Sequence, residues 1–201
     1  IRHGPTEYNE KKLIQGHIDV PLSEAGACLI RNYKIPLQLN GFSWVSSPLI
    51  RALTTAETIS SCKVIVEPSL IEMNWGTWEG QCLAELRQRL GSKMRENEDR
   101  GWDFIPPNGE SPRQVLCRLK PWFQKLVSHQ DNTVAVTHKG VIRVILATAL
   151  DWNLLGPCPL KLDWTCAHIF HIDKKGVIQL LSPNITLLHP SRNTIQTKSE
   201  N

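Results

Sequence analysis

The amino-acid sequence predicts an α/β layered domain. Helical and strand-like stretches alternate along it, and two histidine-bearing motifs fall where a strand gives way to a loop or helix. Its 201 residues suit one such domain and are enough to bury a sizeable core.

The first strand ends at Arg2-His3-Gly4 and is expected to begin a few residues upstream, because the chain opens on Ile1 rather than Met. Residues 42–46 form a short apolar run that stops at Ser47-Pro48, and residues 49–61 then read as a helix. Val64-Ile65-Val66 is a second strand. Residues 82–98 read as one helix, with Leu83, Leu86 and Leu90 near helical spacing. Pro106-Pro107-Asn108-Gly109 breaks the chain into a loop. Ser111 caps the next helix, with Pro112 at its first position and Val115, Leu119, Trp122 and Leu126 along one face. Thr133 to Thr137 is β-branched and alanine-rich, a buried type of strand; residues 140–150 are an apolar helix and residues 167–172 a further strand. Beyond His189 the chain is polar, so the domain is placed at residues 1–190 and residues 191–201 are read as a loose tail.

Composition excludes several classes. Hydrophobic residues at 41% and charged residues at 21% rule out a disordered or fibrous chain. The longest apolar stretch, Val144 to Leu150, is too short to cross a bilayer, and no basic start followed by an apolar run marks a secretory signal. Six cysteines without a CxxC pair read as buried thiols of a reducing compartment, which points to the cytoplasm. No HExxH or His/Cys cluster has zinc spacing, and His168 and His171 would point to opposite faces of their strand, so no metal site is expected. The net charge of +4 is mild and dispersed: it suits small anionic ligands but is not the basic stripe of a nucleic-acid binder. Neither nucleic acid nor membrane is expected as a partner, and a homodimer is left open.

One set of side chains could carry phosphoryl transfer through a histidine. That chemistry needs a neutral imidazole, fixed cations for the phosphoryl oxygens and an acid for the leaving group. Arg2 precedes His3, and Gly4 lets backbone come close to a ligand. Arg51, just beyond a strand end, could bring a second planar guanidinium to the same anion. Glu72 sits among apolar residues and beside Trp75, a setting that raises a carboxyl pKa and keeps its proton available. Taken singly, Arg2-His3-Gly4 is a surface turn, Arg51 a solvated helix residue, Glu72 a surface acid and His138 a satisfied core histidine. Their order together carries the case.

Five blocks stand in that order: Arg2-His3-Gly4-Pro5-Thr6-Glu7-Tyr8-Asn9 with Gln15-Gly16-His17; Ser46-Ser47-Pro48-Leu49-Ile50-Arg51-Ala52; Leu70-Ile71-Glu72 through Gly76-Thr77-Trp78-Glu79-Gly80; Pro107-Asn108-Gly109-Glu110-Ser111; and Val136-Thr137-His138-Lys139-Gly140. In this the chain resembles the histidine phosphatase superfamily, which is phosphoglycerate-mutase-like, and within it the small phosphatase-type branch. The resemblance implies a three-layer α/β/α sandwich with a mostly parallel central sheet. It implies a metal-independent, cofactor-free phosphatase acting on a small phosphorylated metabolite. His3 would become the transient phosphohistidine, with Glu72 and His138 as its catalytic partners. Arg2, Arg51 and Asn9, together with His138, would bind the phosphate, and Gln15 and Gly16 would touch the substrate beyond it. Glu79 would support its loop, while Glu110 would lie near the pocket rim or help cap the following helix.

Lys139 departs from that resemblance, since many relatives have glycine there. A cation at a helix start is disfavoured by ~0.3–1 kcal/mol. It reads either as a solvent-facing lysine or as a contact for a second anionic group on the substrate. Two other functions remain in view: a cofactor-dependent phosphoglycerate mutase, disfavoured because the chain lacks the segments that shield phosphohistidine from water, and a non-catalytic phospho-ligand module. Trp102 and Phe104 are candidates for the pocket roof or for packing.

Overall fold

The computed structural model describes residues 1–187. At its centre are three parallel strands, β1 (Ser43–Ser46), β2 (Val64–Val66) and β3 (Thr133–Val136), in the order β2-β1-β3. Residues 1–3 extend this sheet alongside β3. The Ile1 nitrogen donates to the Ala135 carbonyl at 2.9 Å, the Thr137 amide to the Ile1 carbonyl at 2.9 Å, and the His3 amide to the Thr137 carbonyl at 2.9 Å.

Helices cover both faces because side chains alternate across a strand. Trp44 of β1 packs with Val134 and Val136 in a cluster that includes Ile30 of α2 (Glu24–Arg31) and Ala52 and Ala56 of α3 (Ile50–Ile59). Its neighbour Val45 packs on the other face with Val115, Leu119, Trp122 and Phe123 of α6 (Pro112–His129) and Val141 and Val144 of α7 (Lys139–Ala149). Two cores, one on each side of a parallel sheet, make the three-layer α/β arrangement that the sequence implies. The last strands, β4 (Cys166–Ile172) and β5 (Ile178–Thr186), pair antiparallel in a sheet of their own, so only the central strands are parallel.

The local signals hold along most of the chain. Ser111 accepts from the Gln114 amide while the Gln114 side chain accepts from the Ser111 amide, a reciprocal cap in front of Pro112. Three readings need correction. Residues 82–98 are two helices, α4 (Leu83–Leu90) and α5 (Ser92–Glu98), because Gly91 takes φ +53°, a left-handed conformation that ends one helix and starts the next. The cysteines are free but not mostly buried: Cys28, Cys62 and Cys117 are exposed and only Cys166 is buried. Their positions on solvent-facing helix sides and a loop, rather than any disulfide, explain this. Finally, α1 (Glu7–Glu10), α2 and β5 have no counterpart in the sequence reading. The tail assigned to residues 191–201, and the domain end at residue 190, lie outside the described residues.

Among the described residues no helix is long and apolar enough to cross a membrane.

Candidate active site

The site lies at the carboxyl ends of the central strands. His3 ends the strand-like segment beside β3, and His138 follows β3 as the residue capping α7. Their ring centroids are 5.0 Å apart. Glu72 follows the short helical turn Pro68–Leu70, and Arg51 enters from the first turn of α3. Arg2, His3, Asn9, Gln15, Gly16, Arg51, Glu72 and Lys139 line one open cleft of about 900 Å³. His138 is fully buried directly behind it, against His3.

The orientation of His3 is set by one bond. Its Nδ1 lies 2.7 Å from the Gly4 carbonyl. A carbonyl only accepts, so Nδ1 carries the proton and Nε2 keeps its lone pair. Gly4 is itself pinned, its amide donating to Thr55 Oγ1 at 3.0 Å on α3. A Cβ at Gly4 would come within 2.6 Å of Ile30, so the close approach of this turn to α2 needs glycine. Burial, with the nearby Arg2 and Arg51 charges, holds the His3 pKa well below the ordinary histidine value. The ring is therefore neutral as well as aimed.

His138 is neutral for similar reasons: burial first, then His3, Arg51, Arg2 and Arg118 push its pKa well down. Its Nε2 lies 2.7 Å from Ser47 Oγ, and its buried Nδ1 has no partner among the described residues.

Arg51 is fully buried and is fixed through its two terminal nitrogens, which donate to the carbonyls of Ile18 at 2.8 Å and Gly16 at 2.7 Å. Its Nε, like that of Arg2, is buried with no partner among the described residues. Buried guanidinium donors without acceptors in a cleft are what an incoming oxyanion would satisfy. Asn9 fits the same role. Its Oδ1 accepts from the Thr6 amide at 3.2 Å in the reciprocal cap of α1, and its side-chain NH2 has no hydrogen bond among the described residues.

Glu72 is buried, and burial raises its carboxyl pKa above the ordinary value. The amides of Met73 at 2.8 Å and Gly140 at 3.2 Å, with Arg51 and Arg2, act against that rise. The net direction is upward, the direction that favours proton donation.

Gln15 and Gly16 line the cleft, but their visible bonds are structural: Gln15 Oε1 accepts from Thr6 Oγ1 at 3.0 Å, and the Gly16 carbonyl holds Arg51. Glu79 supports its loop as expected, accepting from the amides of His17 at 2.7 Å, Ile18 at 2.9 Å and Trp75 at 3.1 Å. Glu110 does not cap the following helix. It pairs with Arg118 at 2.8 Å, because Ser111 and Gln114 already complete the helix cap. Phe104 lines the cleft and packs edge-on against Trp75 at 5.6 Å, whereas Trp102 packs into the core beneath.

Arg118 and His17 escaped the sequence reading. Arg118 donates to the carbonyls of Ser69, Ile71 (2.7 Å) and Glu72 (3.2 Å), and His17 Nε2 donates to the Glu72 carbonyl at 2.8 Å. Together they clamp the backbone that carries Glu72. A signal for Arg118 was present: it is three residues after Val115 and one before Leu119, a cation on the buried face of a helix. Among the described residues no group of three or more His, Cys, Asp or Glu side chains could hold a metal ion.

Comparison with known proteins places the fold in a family. Residues 1–186 match the family described as histidine phosphatase superfamily (branch 1). A glucosyl-3-phosphoglycerate phosphatase of Mycolicibacterium vanbaalenii is 31% identical over 180 residues, covering 78% of this chain and 77% of that protein. A bifunctional protein of Mycobacterium tuberculosis is 32% identical over 191 residues, covering 90% of this chain but only 52% of its own length, so the chain spans about half of that relative. The crystal structure of the alpha-ribazole phosphatase from Shigella flexneri superposes with a TM-score of 0.71 at 28% identity, covering 94% of this chain and 96% of that one.

Proposed function

The chain belongs to the histidine phosphatase superfamily, branch 1, and on that premise we propose that it hydrolyses small-molecule phosphomonoesters by passing the phosphoryl group through His3. The observation that carries this reading is the bond from His3 Nδ1 to the Gly4 carbonyl, which leaves a bare, neutral Nε2 in a cleft lined by Arg2 and Arg51.

In the first step the Nε2 lone pair attacks phosphorus and the bond to the leaving oxygen breaks. Glu72, whose carboxyl pKa is raised by burial, gives that oxygen its proton. Arg2, Arg51 and Asn9 hold the phosphoryl oxygens, and the unpartnered Nδ1 of His138 is the remaining donor. These fixed cations and dipoles are aimed before the reaction begins, so little reorganisation accompanies the charge shift. In the second step the Glu72 carboxylate takes a proton from water, the water oxygen attacks phosphorus, and the N–P bond breaks. Inorganic phosphate leaves and His3 is restored. The names of the relatives, a glucosyl-3-phosphoglycerate phosphatase and an alpha-ribazole phosphatase, support a small phosphorylated metabolite as substrate. The free thiols suit a reducing compartment such as the cytoplasm.

The test is phosphate release from p-nitrophenyl phosphate. The protein is expected to turn over, with the His3→Ala protein inactive. Equal rates for the two proteins would remove His3 from the reaction.

A further inference from the structure

The cleft holds more positive charge than one phosphate needs. Beyond Arg2 and Arg51, it is lined by Lys139 and Arg143, which stand one turn apart on the same face of α7. Like charges at that spacing repel, and Lys139 also sits in the first turn of a helix, where a cation is unfavourable. Lys139 is exposed as a residue, yet packing around its ammonium lowers its pKa, and Arg2 and Arg143 lower it further. Only Glu72 acts in the other direction, and Glu72 is committed to two backbone amides.

Four cations among the described residues pair with carboxylates. Lys11 pairs with Glu7, Arg87 with Glu98, Arg113 with Asp103 and Arg118 with Glu110. None of the ion pairs among the described residues includes Lys139 or Arg143. What holds them instead is aromatic. The Lys139 ammonium lies 5.5 Å from the ring centre of Trp164, and the Arg143 guanidinium 5.0 Å from that of Trp152. A ring face steadies a cation without using any of its N–H donors. The two side chains are therefore positioned without a hydrogen bond to any other described residue. The Arg2 guanidinium lies 5.6 Å from the same Trp164 ring, which sets this second pair of cations directly beside the phosphate pocket.

We infer that Lys139 and Arg143 form a second anion subsite, so that the preferred substrate is a phosphomonoester carrying another anionic group, a carboxylate or a second phosphate, on its leaving portion. The inference rests on the phosphatase reading for its biological sense. It explains why a lysine is found at position 139: the residue is specific to the leaving group and has no part in phosphoryl transfer. Gly140, not residue 139, is the position where backbone space is required, since a Cβ there would meet Glu72 at 2.3 Å.

Titration calorimetry tests this without turnover, on the protein carrying His3→Ala. Two ligand pairs are compared: 3-phosphoglycerate against glycerol 3-phosphate, which differ by a carboxylate, and fructose 1,6-bisphosphate against fructose 6-phosphate, which differ by a phosphate. In at least one pair the bis-anionic ligand is expected to bind about tenfold or more tightly, the scale of a charge-assisted hydrogen bond. The pair with the larger preference identifies the second anion. Adding Lys139→Ala and Arg143→Ala should bring that preference close to unity, and Lys139→Glu should reverse it. Equal affinities within both pairs, a preference that survives the double substitution, or no binding of any of the four ligands would overturn the subsite. Hydrolysis of p-nitrophenyl phosphate by the unsubstituted protein is scored separately, so a failed subsite and a failed phosphatase reading give different results.

Discussion

Glu72 and Gly140 meet across the mouth of the site: Glu72 Oε2 accepts the Gly140 amide at 3.2 Å, in a space where a Cβ on residue 140 would come within 2.3 Å of Glu72 Oε1. The acid therefore depends on a glycine 68 residues away at the start of α7.

Gly140→Ala is expected to displace the Glu72 carboxyl while favouring the helix itself. For an alkyl phosphate, whose leaving group needs a proton, kcat/KM should fall by about a hundredfold, the low end of a general acid's contribution. For p-nitrophenyl phosphate the fall should be much smaller. Glu72→Gln should give the same split. Equal losses on both substrates would separate Glu72 from leaving-group protonation.

Arg51→Lys keeps the charge but cannot span the carbonyls of Ile18 and Gly16 while also facing an oxyanion. Activity should fall at least about a hundredfold, as for loss of one preorganised donor to transition-state charge. Inhibition by orthovanadate, an oxyanion, should weaken alongside it. Unchanged vanadate inhibition would place Arg51 outside the phosphate pocket.

The two buried histidines predict acid sensitivity. Burial and neighbouring cations hold the folded-state pKa of His3 and of His138 well below the ordinary value. In the unfolded chain both titrate near pH ~6.5. Below that pH the unfolded chain takes up protons that the folded chain refuses, so stability falls as pH drops. Each histidine contributes up to about 1.4 kcal/mol per pH unit until its own folded-state pKa is reached. Glu72 acts in the opposite sense, because its raised pKa lets the folded chain hold an extra proton above the unfolded carboxyl range. Urea denaturation at pH 7 and pH 5 should show a loss that is smaller for His138→Gln. An identical pH difference in the two proteins would contradict the neutral, buried His138.

Much of this was legible in the sequence because the reactive residues sit at strand ends that local signals mark well. Ser47-Pro48 closes β1 just before Arg51, and Thr133–Val136 leads straight into His138. What escaped depends on tertiary contact. Gly91 resembles a helix interruption only once its φ of +53° is seen, because Met94 keeps the helical spacing from Leu90 across it. Ser182-Pro183-Asn184 hides β5, since a proline within a strand reads as its end. Arg118 finds its partners 46 to 49 residues earlier in the chain, and no spacing rule links it to Glu72. Trp164 gains meaning only because Arg2 and Lys139 come to it from distant segments.

Water as the final acceptor also separates this reading from mutase chemistry. With 3-phosphoglycerate as substrate and 2,3-bisphosphoglycerate added, phosphate release should exceed formation of 2-phosphoglycerate. Dominant isomerisation would reassign the cleft to transfer between phosphoglycerates.

The most direct measurement traps the intermediate. The protein is mixed with excess p-nitrophenyl phosphate, quenched in alkali within the first turnovers, digested, and its peptides are sequenced by mass spectrometry. A phosphoryl group on the peptide that contains His3, located on His3, stable to alkali and lost in acid, is the expected result. Steady hydrolysis with no phosphorylated His3, or with the group on another residue, would contradict the account.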